Sequence, residues 1–353
     1  MAEFFFDFGL FAAKAFALFL LGGVLLAVVG ALVARLFSHS RQFEPGQLEI
    51  VRVNERFESE REVIEEALVP AGAEKAFDKA RRTEKKRKEK LARGAASSGA
   101  AIQRRRVFVL DFDGDLTASA VENLRRELTV VLSSARASDE VVVRLESGGG
   151  LVHSYGLGAS QLERVKAHGV RLTVCVDRVA ASGGYMMACV ADRLLCAPFA
   201  VLGSIGVVAQ LPNFHRLLKK HDVDVELFTA GQYKRTVTVF GENTEEGRAK
   251  FRNDLDETHA LFKEFVAEQR PSVDIEKVST GEIWLGRRAL GVHLVDELIT
   301  SDEYLATASQ NAEVLEVKYR RKHSLQERVF SSLEAAVDRS LLRWWSRAVE
   351  RTP

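Results

Sequence analysis

Cysteine is scarce in this chain. Its three residues, Cys175, Cys189 and Cys196, all lie in apolar stretches. None has the spacing of a zinc pair, and three cannot staple a fold, so they read as small buried apolar side chains. This leaves the compartment open, since proteins outside the cytosol also do without disulfides. Net charge is nearly missing too: +1 over 353 residues, which removes any global argument for nucleic acid or an acidic partner. The eight histidines include no His-Glu-x-x-His pair. With 46% hydrophobic and 28% charged residues the composition is globular rather than disordered.

What is present is unevenly distributed. After Phe4, Phe5, Phe6 and Phe8, residues 15–34 carry no charge. Twenty apolar residues suffice to cross a ~30 Å hydrocarbon core as a helix, and Gly22, Gly23 and Gly30 are tolerated in such helices. A cleaved leader needs a basic start and a shorter core, whereas this segment begins with Glu3 and Asp7, so residues 1–37 are read as an uncleaved anchor. Arg35, Arg41 and Arg52 follow the run and only Lys14 precedes it, a mild bias toward a cytoplasmic C-terminal side.

Residues 38–103 read as a charged helical stalk and linker. Pro45 and Pro70 punctuate it, and Val63, Ile64, Ala67 and Leu68 form a weak apolar face. Residues 75–93 are densely basic, which suits a solvated helix or anionic lipid headgroups. No aromatics are interleaved to stack bases, which argues against nucleic acid. Residues 94–101, rich in Gly, Ala and Ser, read as a flexible linker. The tail, 323–353, is an amphipathic basic helix carrying Val329, Leu333, Val337, Leu341, Trp344 and Trp345. It fits a membrane interface or a second subunit equally well.

Residues 104–322 alternate between strand and helix patterns. Strands are expected at 107–112, 141–146, 172–176, 194–197 and 225–228, with helices at 118–135, 155–167 and 244–269. The last of these helices has Phe251, Leu255, Leu261, Phe262 and Phe265 as its apolar face. The alternation predicts an α/β domain with a buried, largely parallel sheet.

Several turns in that domain carry candidate chemistry. Ser182, in Ala181-Ser182-Gly183-Gly184, falls between a strand pattern and a helical one, which would expose its hydroxyl beside backbone N–H groups. The same small residues also suit a mere packing turn. Ser147-Gly148-Gly149-Gly150 follows a strand and matches neither the phosphate-loop nor the dinucleotide spacing. Its glycines let N–H groups converge on an oxyanion. Gly203-Ser204-Ile205-Gly206 and Gly231-Gln232-Tyr233-Lys234-Arg235 supply a second hydroxyl and a turn lysine. His153 is the one histidine close to these turns in sequence.

Asp111 and Asp113 end a strand in Asp-x-Asp-Gly, which resembles the first motif of the haloacid-dehalogenase phosphatases. That resemblance would make Asp111 a nucleophile and Asp113 an acid/base around Mg²⁺. Asp115 stands where Thr or Val is usual, and no acidic pair after Glu242 completes the metal site. The acidic cluster reads better as a polar turn.

Taken in order, the segments 144–150, 179–188, 203–207 and 231–235 resemble the signal peptide peptidase A family of membrane serine peptidases, in its SohB-type branch. The resemblance extends over nearly the whole chain. It implies a Clp protease/crotonase-like catalytic domain behind an N-terminal transmembrane helix and a charged stalk. It also implies a Ser–Lys dyad: Ser182 as nucleophile, Lys234 as general base, Ser204 holding the lysine amine, and the N–H groups of Gly150 and Gly183 as oxyanion hole. No metal or cofactor is implied. Peptide or protein substrates, membrane lipid and further copies of the chain are the implied partners. The implied location is the bacterial inner membrane with the catalytic domain in the periplasm, against the mild arginine bias. Gly148 departs from the family's usual Pro, which loosens the loop.

A lysine of ordinary pKa, ~10.4, is no base at neutral pH, so this assignment requires Lys234 to be buried and neutral beside Ser182. Other readings are a scaffold with a weak or lost site, and a crotonase-type acyl-CoA enzyme, which has no use for the Ser–Lys pair.

Overall fold

The computed structural model describes residues 46–70, 72–97 and 104–320. The chain divides into two compact units, 48–320 and the combination of 1–47 with 321–353. Apart from Gly46 and Gln47, the second unit lies outside the described residues. So do the expected anchor, 1–37, and the tail helix, 323–353. Among the described residues no helix is long and apolar enough to cross a membrane.

The core of the 48–320 unit is built from strands that read as near-continuous apolar runs. After β1 (Gln47–Arg52) and the helices α1 (Val53–Ala67) and α2 (Glu74–Ser97) come β2 (Arg106–Gly114), α3 (Val121–Ser134), β3 (Glu140–Ser147), α4 (Val152–Ala167) and β4 (Arg171–Val176). Strands β2, β3 and β4 pair in parallel, Phe108 with Val141 and Val141 with Leu172. Their alternating side chains feed two cores. Phe108, Leu110 and Phe112 pack with the α3 and α4 residues Leu124, Leu128 and Leu162. Val107 and Val109 face the other way, against Val53, Leu305 and Val314. Burial on both faces is why the strands lack polar alternation.

The remaining elements are β5 (Val179–Ala181), α5 (Gly183–Ala188), β6 (Arg193–Cys196), β7 (Val201–Gly203), α6 (His215–Lys220), α7 (Glu245–Gln269), α8 (Ile275–Val278), β8 (Ile283–Leu285), α9 (Gly286–Gly291), β9 (Glu297–Leu298), α10 (Ser301–Asn311) and β10 (Glu313–Arg320). The main sheet runs β1-β10-β2-β3-β4-β6-β9. At the end of β3 it forks. Residues 140–144 pair with β4, but Ser147 pairs with Ala180 of β5, which begins a second ladder, β5-β7-β8.

Several expectations need correction. Residues 47–67 are part of the sheet domain rather than a free stalk: β1 pairs with β10, and Val53 is buried. Asn54 donates to the Ser309 and Ala312 carbonyls and accepts from the Val314 N–H. Val63, Ile64 and Leu68, read as an apolar face, are exposed, because the packing face of α1 lies at its N-terminal end, at Val53 and Phe57. No strand forms at 225–228, where Val225, Leu227 and Phe228 are exposed and have no sheet edge to join. Leu261 of α7 is also exposed, and Phe262 and Val266 are the buried residues of that helix. Its start was legible: Thr244 accepts the Gly247 N–H as N-cap, with Glu245 and Glu246 in the first turn.

Candidate active site

Ser182 follows β5, not β4 as the sequence pattern placed it. The chain leaves β4 at Val176, turns through Asp177 and Arg178, and re-enters pairing as β5 for three residues. Ser182 then takes φ 52° and ψ −120°, a conformation a non-glycine residue rarely adopts and one that marks a strained strand-to-helix elbow. Its N–H donates to the Gly203 carbonyl (2.8 Å), and its own carbonyl accepts the Met186 N–H (3.0 Å) to start α5. The side chain is half-buried within an otherwise buried segment.

Ser204 sits at the matching place on the next strand. Ala181 pairs with Gly203, so the two serines leave adjacent parallel strands at the same register, about 4.8 Å apart in the hydrogen-bonding direction. Ser204 also has positive φ, 50°, and its N–H is held by the Glu282 carbonyl at 2.7 Å.

The glycine loop closes over Ser182 from β3. A Cβ on Gly149, at φ 89°, would lie 2.7 Å from the Gly183 nitrogen and 2.8 Å from Ser182 Cβ, so only glycine fits. A Cβ on Gly150 would lie 2.1 Å from the Leu116 carbonyl oxygen. The Gly149 N–H is taken by Ser147 Oγ (3.1 Å). The N–H groups of Gly150 and Gly183 have no acceptor among the described residues, which leaves two donors on the segments that meet at Ser182. Gly148, by contrast, has open space around it.

Lys234 is where the expectation and the single chain part. It lies on the long arm between β7 and α7, on a turn where its N–H donates to the Gly231 carbonyl (3.2 Å). Its side chain is exposed and its ammonium has no hydrogen-bond or ion-pair partner among the described residues. The structure thus brings Gly149, Gly150, Ser182, Gly183 and Ser204 together and does not bury Lys234 against them. The arm is anchored at its base, where Asn213 donates to the Thr238 and Gly241 carbonyls and Phe214 stacks on Phe240. The arm exposes apolar side chains on either side of that anchor, Val208 at 91% before it and Phe228 at 86% beyond it.

Asp111 has a different task from the one the phosphatase resemblance gives it. Its carboxylate accepts from Arg144 Nε (2.6 Å) and pairs with Lys318 Nζ (3.0 Å). Burial alone would raise this carboxyl, but those two cations hold it below the usual range. Asp113 is exposed, and Asp115 caps its own turn by accepting from Thr117 and Ser119. Asp111 and Asp113 therefore lie within β2, and only Asp115 belongs to the polar turn expected. Among the described residues no group of three or more His, Cys, Asp or Glu is placed to hold a metal. His153 is exposed on the first turn of α4.

One residue beside the site escaped the sequence reading. Tyr155, wholly buried on α4, lies against Gly183, and its hydroxyl meets Ser147 Oγ. A tyrosine early in a helix carries no signal of such a contact.

Comparison with known proteins supplies the family. Residues 164–315 match Peptidase family S49 and residues 3–162 match Peptidase family S49 N-terminal. A probable protease SohB of Haemophilus influenzae is 49% identical over 326 residues, covering 90% of each chain. One from Buchnera aphidicola is 44% identical over 86% of this chain and 99% of its own. Among solved structures, a membrane-bound stomatin-specific protease superposes with TM-score 0.42 at 13% identity, covering 61% of this chain and 98% of that one. So loose a likeness says nothing about activity. The strained serine elbow, the two unpaired donors and the match along the chain lead to one assignment: this protein belongs to peptidase family S49 and is a serine protease.

Proposed function

We propose that the chain is a membrane-anchored endopeptidase that cleaves peptides or membrane-derived protein fragments with a Ser182–Lys234 dyad. The observation that carries this reading is the elbow at Ser182, flanked by the unpaired N–H groups of Gly150 and Gly183. In the reaction a neutral Lys234 amine takes the Ser182 Oγ proton as Oγ bonds to the scissile carbonyl carbon. The two N–H groups receive the oxyanion, a contribution of roughly 10²–10³ in rate for each donor. The ammonium then returns the proton to the leaving amine, and water, deprotonated by the same lysine, releases the acyl group from Ser182. Ser204 holds the amine between these steps.

Lys234 is exposed in one chain, so its burial falls to assembly: the arm that carries it packs onto another copy. This agrees with the further copies of the chain that the family resemblance implies as partners, and with the apolar side chains exposed along the arm. The apolar run 15–34 tethers the assembly to the inner membrane, with the catalytic unit in the periplasm by the same resemblance. Purified full-length protein tests the dyad. Ser182→Ala and Lys234→Ala are each expected to lower peptide hydrolysis by at least 10³-fold without changing the melting temperature by more than about 2 °C. Full activity in either variant would overturn the assignment.

A further inference from the structure

The two donors at Ser182 come from different branches of the forked sheet, Gly150 after β3 and Gly183 after β5. For both to act on one oxygen, their spacing must hold to within about 0.5 Å. The loop that carries Gly150 is three successive glycines and opens to solvent at Gly148; one backbone bond, from the Leu151 N–H to the Leu116 carbonyl, holds its far end, and the end before Gly150 is held by the Ser147 side chain.

Tyr155 crosses between the branches. Its ring lies under Gly183, where a Cβ would stand 2.5 Å from Tyr155 Cγ. Its hydroxyl is 2.5 Å from Ser147 Oγ and 2.7 Å from the Asp115 carbonyl oxygen. Ser147 Oγ accepts the Gly149 N–H at 3.1 Å and lies 3.1 Å from the Gly114 carbonyl. Each hydroxyl has one proton, so the pair is wired in one of two ways. Either Tyr155 donates to Asp115 and Ser147 to Tyr155, or Tyr155 donates to Ser147 and Ser147 to Gly114. In both, Ser147 remains the acceptor for Gly149. Both residues are buried, at 0% and 2% exposure. A phenylalanine would fill the same space without placing two polar groups in an apolar core.

We infer that Tyr155, acting through Ser147, is a positioning residue that fixes the Gly150 donor against the Gly183 donor. The ring sets one side, and the hydroxyl pair sets the other by anchoring Gly149 to the end of β2. This rests on the reading of Ser182 as the nucleophile.

The test compares full-length protein with Tyr155→Phe, Ser147→Ala and the double variant, after titration of Ser182 with a fluorophosphonate probe. Titration separates loss of folded sites from loss of rate in each site. The kcat per titrated site is expected to fall roughly 10-fold in Tyr155→Phe and 10- to 100-fold in Ser147→Ala, with KM within twofold. The double variant is expected to be no worse than Ser147→Ala, because both lie on one chain of contacts. The pH profile should keep its apparent pKa values, since the base is untouched. A packing role alone would lower the titratable fraction and the melting temperature but leave kcat per site unchanged. Per-site kcat within twofold of the unaltered chain in both single variants, or additive losses in the double, would overturn the inference. Should Tyr155→Phe not fold, Ser147→Ala alone decides by the same threshold. Failure of the probe to label Ser182 in the unaltered chain would mark the nucleophile assignment as the faulty step, and this inference would fall with it.

Discussion

Gly148 and Gly149 are neighbours with opposite tolerance. At Gly149 a methyl group would press on Ser182 Cβ and the Gly183 nitrogen at a backbone angle suited to glycine, whereas at Gly148 it would meet nothing within 4 Å. Gly149→Ala is therefore expected to abolish hydrolysis, a loss of at least 10²-fold in kcat/KM, while Gly148→Ala stays within threefold. Steady-state kinetics on the two variants checks this. The concern that the absence of proline at 148 loosens the site is met by the neighbours: Gly149 is bonded to Ser147, and the Leu151 N–H to the Leu116 carbonyl.

A second residue governs stability rather than rate. Glu127 is buried on α3 with Oε1 accepting the Tyr319 N–H, while Oε2 has no partner among the described residues. Burial raises its carboxyl to about 7, with Asp111 adding to the rise and the Tyr319 bond opposing it. A carboxyl whose folded pKa exceeds its unfolded value binds more protons when folded, so its contribution is fully present below the unfolded pKa. It is lost as pH rises through about 7. Glu127→Gln removes that loss. The variant should be more stable than the parent at pH 8, by about 1–2 kcal/mol, with the difference shrinking toward pH 5. Urea midpoints at the two pH values would show it. An equal difference at both would place the raised pKa in error.

At the scale of elements, legibility followed the number of residues that shared one pattern. Strands β2, β3 and β4 showed as long apolar runs because both their faces are covered. The second ladder did not, since β5, β7 and β8 have three residues each, too few to set a period. Yet that ladder places Ser182 beside Ser204, so the geometry of the candidate site comes from the part of the sheet with the weakest sequence signal. The motifs themselves were readable because turns demand particular residues: Gly149 for its φ, Gly203 for the approach of Trp284. The arm misled in the opposite direction, since Val225 to Phe228 has strand composition but no edge to pair with. If the arm is an assembly element, Phe228→Asp should shift the protein to smaller species in light scattering and lower kcat/KM at least 10-fold in step. An unchanged assembly with normal activity would show that Phe228 plays no part in it.

For the whole molecule, the sequence drew its domain boundary at 104, where the strand pattern begins, and the structure moves it earlier. Residues 47–57 supply an edge strand, the buried Val53 and Asn54 with its three hydrogen bonds. A chain beginning at 104 leaves β10 as a bare edge and opens the core around Leu305 and Val314. It should melt roughly 10 °C below one beginning at 46, and aggregate on concentration. Calorimetry of the two chains measures the difference. Equal melting temperatures would mean that β1 and α1 only rest on the domain.

The seating of Asn54 has a consequence in time. Its partners Ser309 and Ala312 lie 255 and 258 residues further on. The ribosome therefore makes β1 and α1 first, yet their place in the sheet exists only after β10 has been made. At ordinary elongation rates that interval is on the order of ten seconds or more. Throughout it the central strands can assemble while the earliest segment of the unit waits unpaired. The first part of this unit to be synthesised is thus among the last to be seated. A nascent chain halted before β10 should lose residues 46–67 to a protease that spares them in the finished protein.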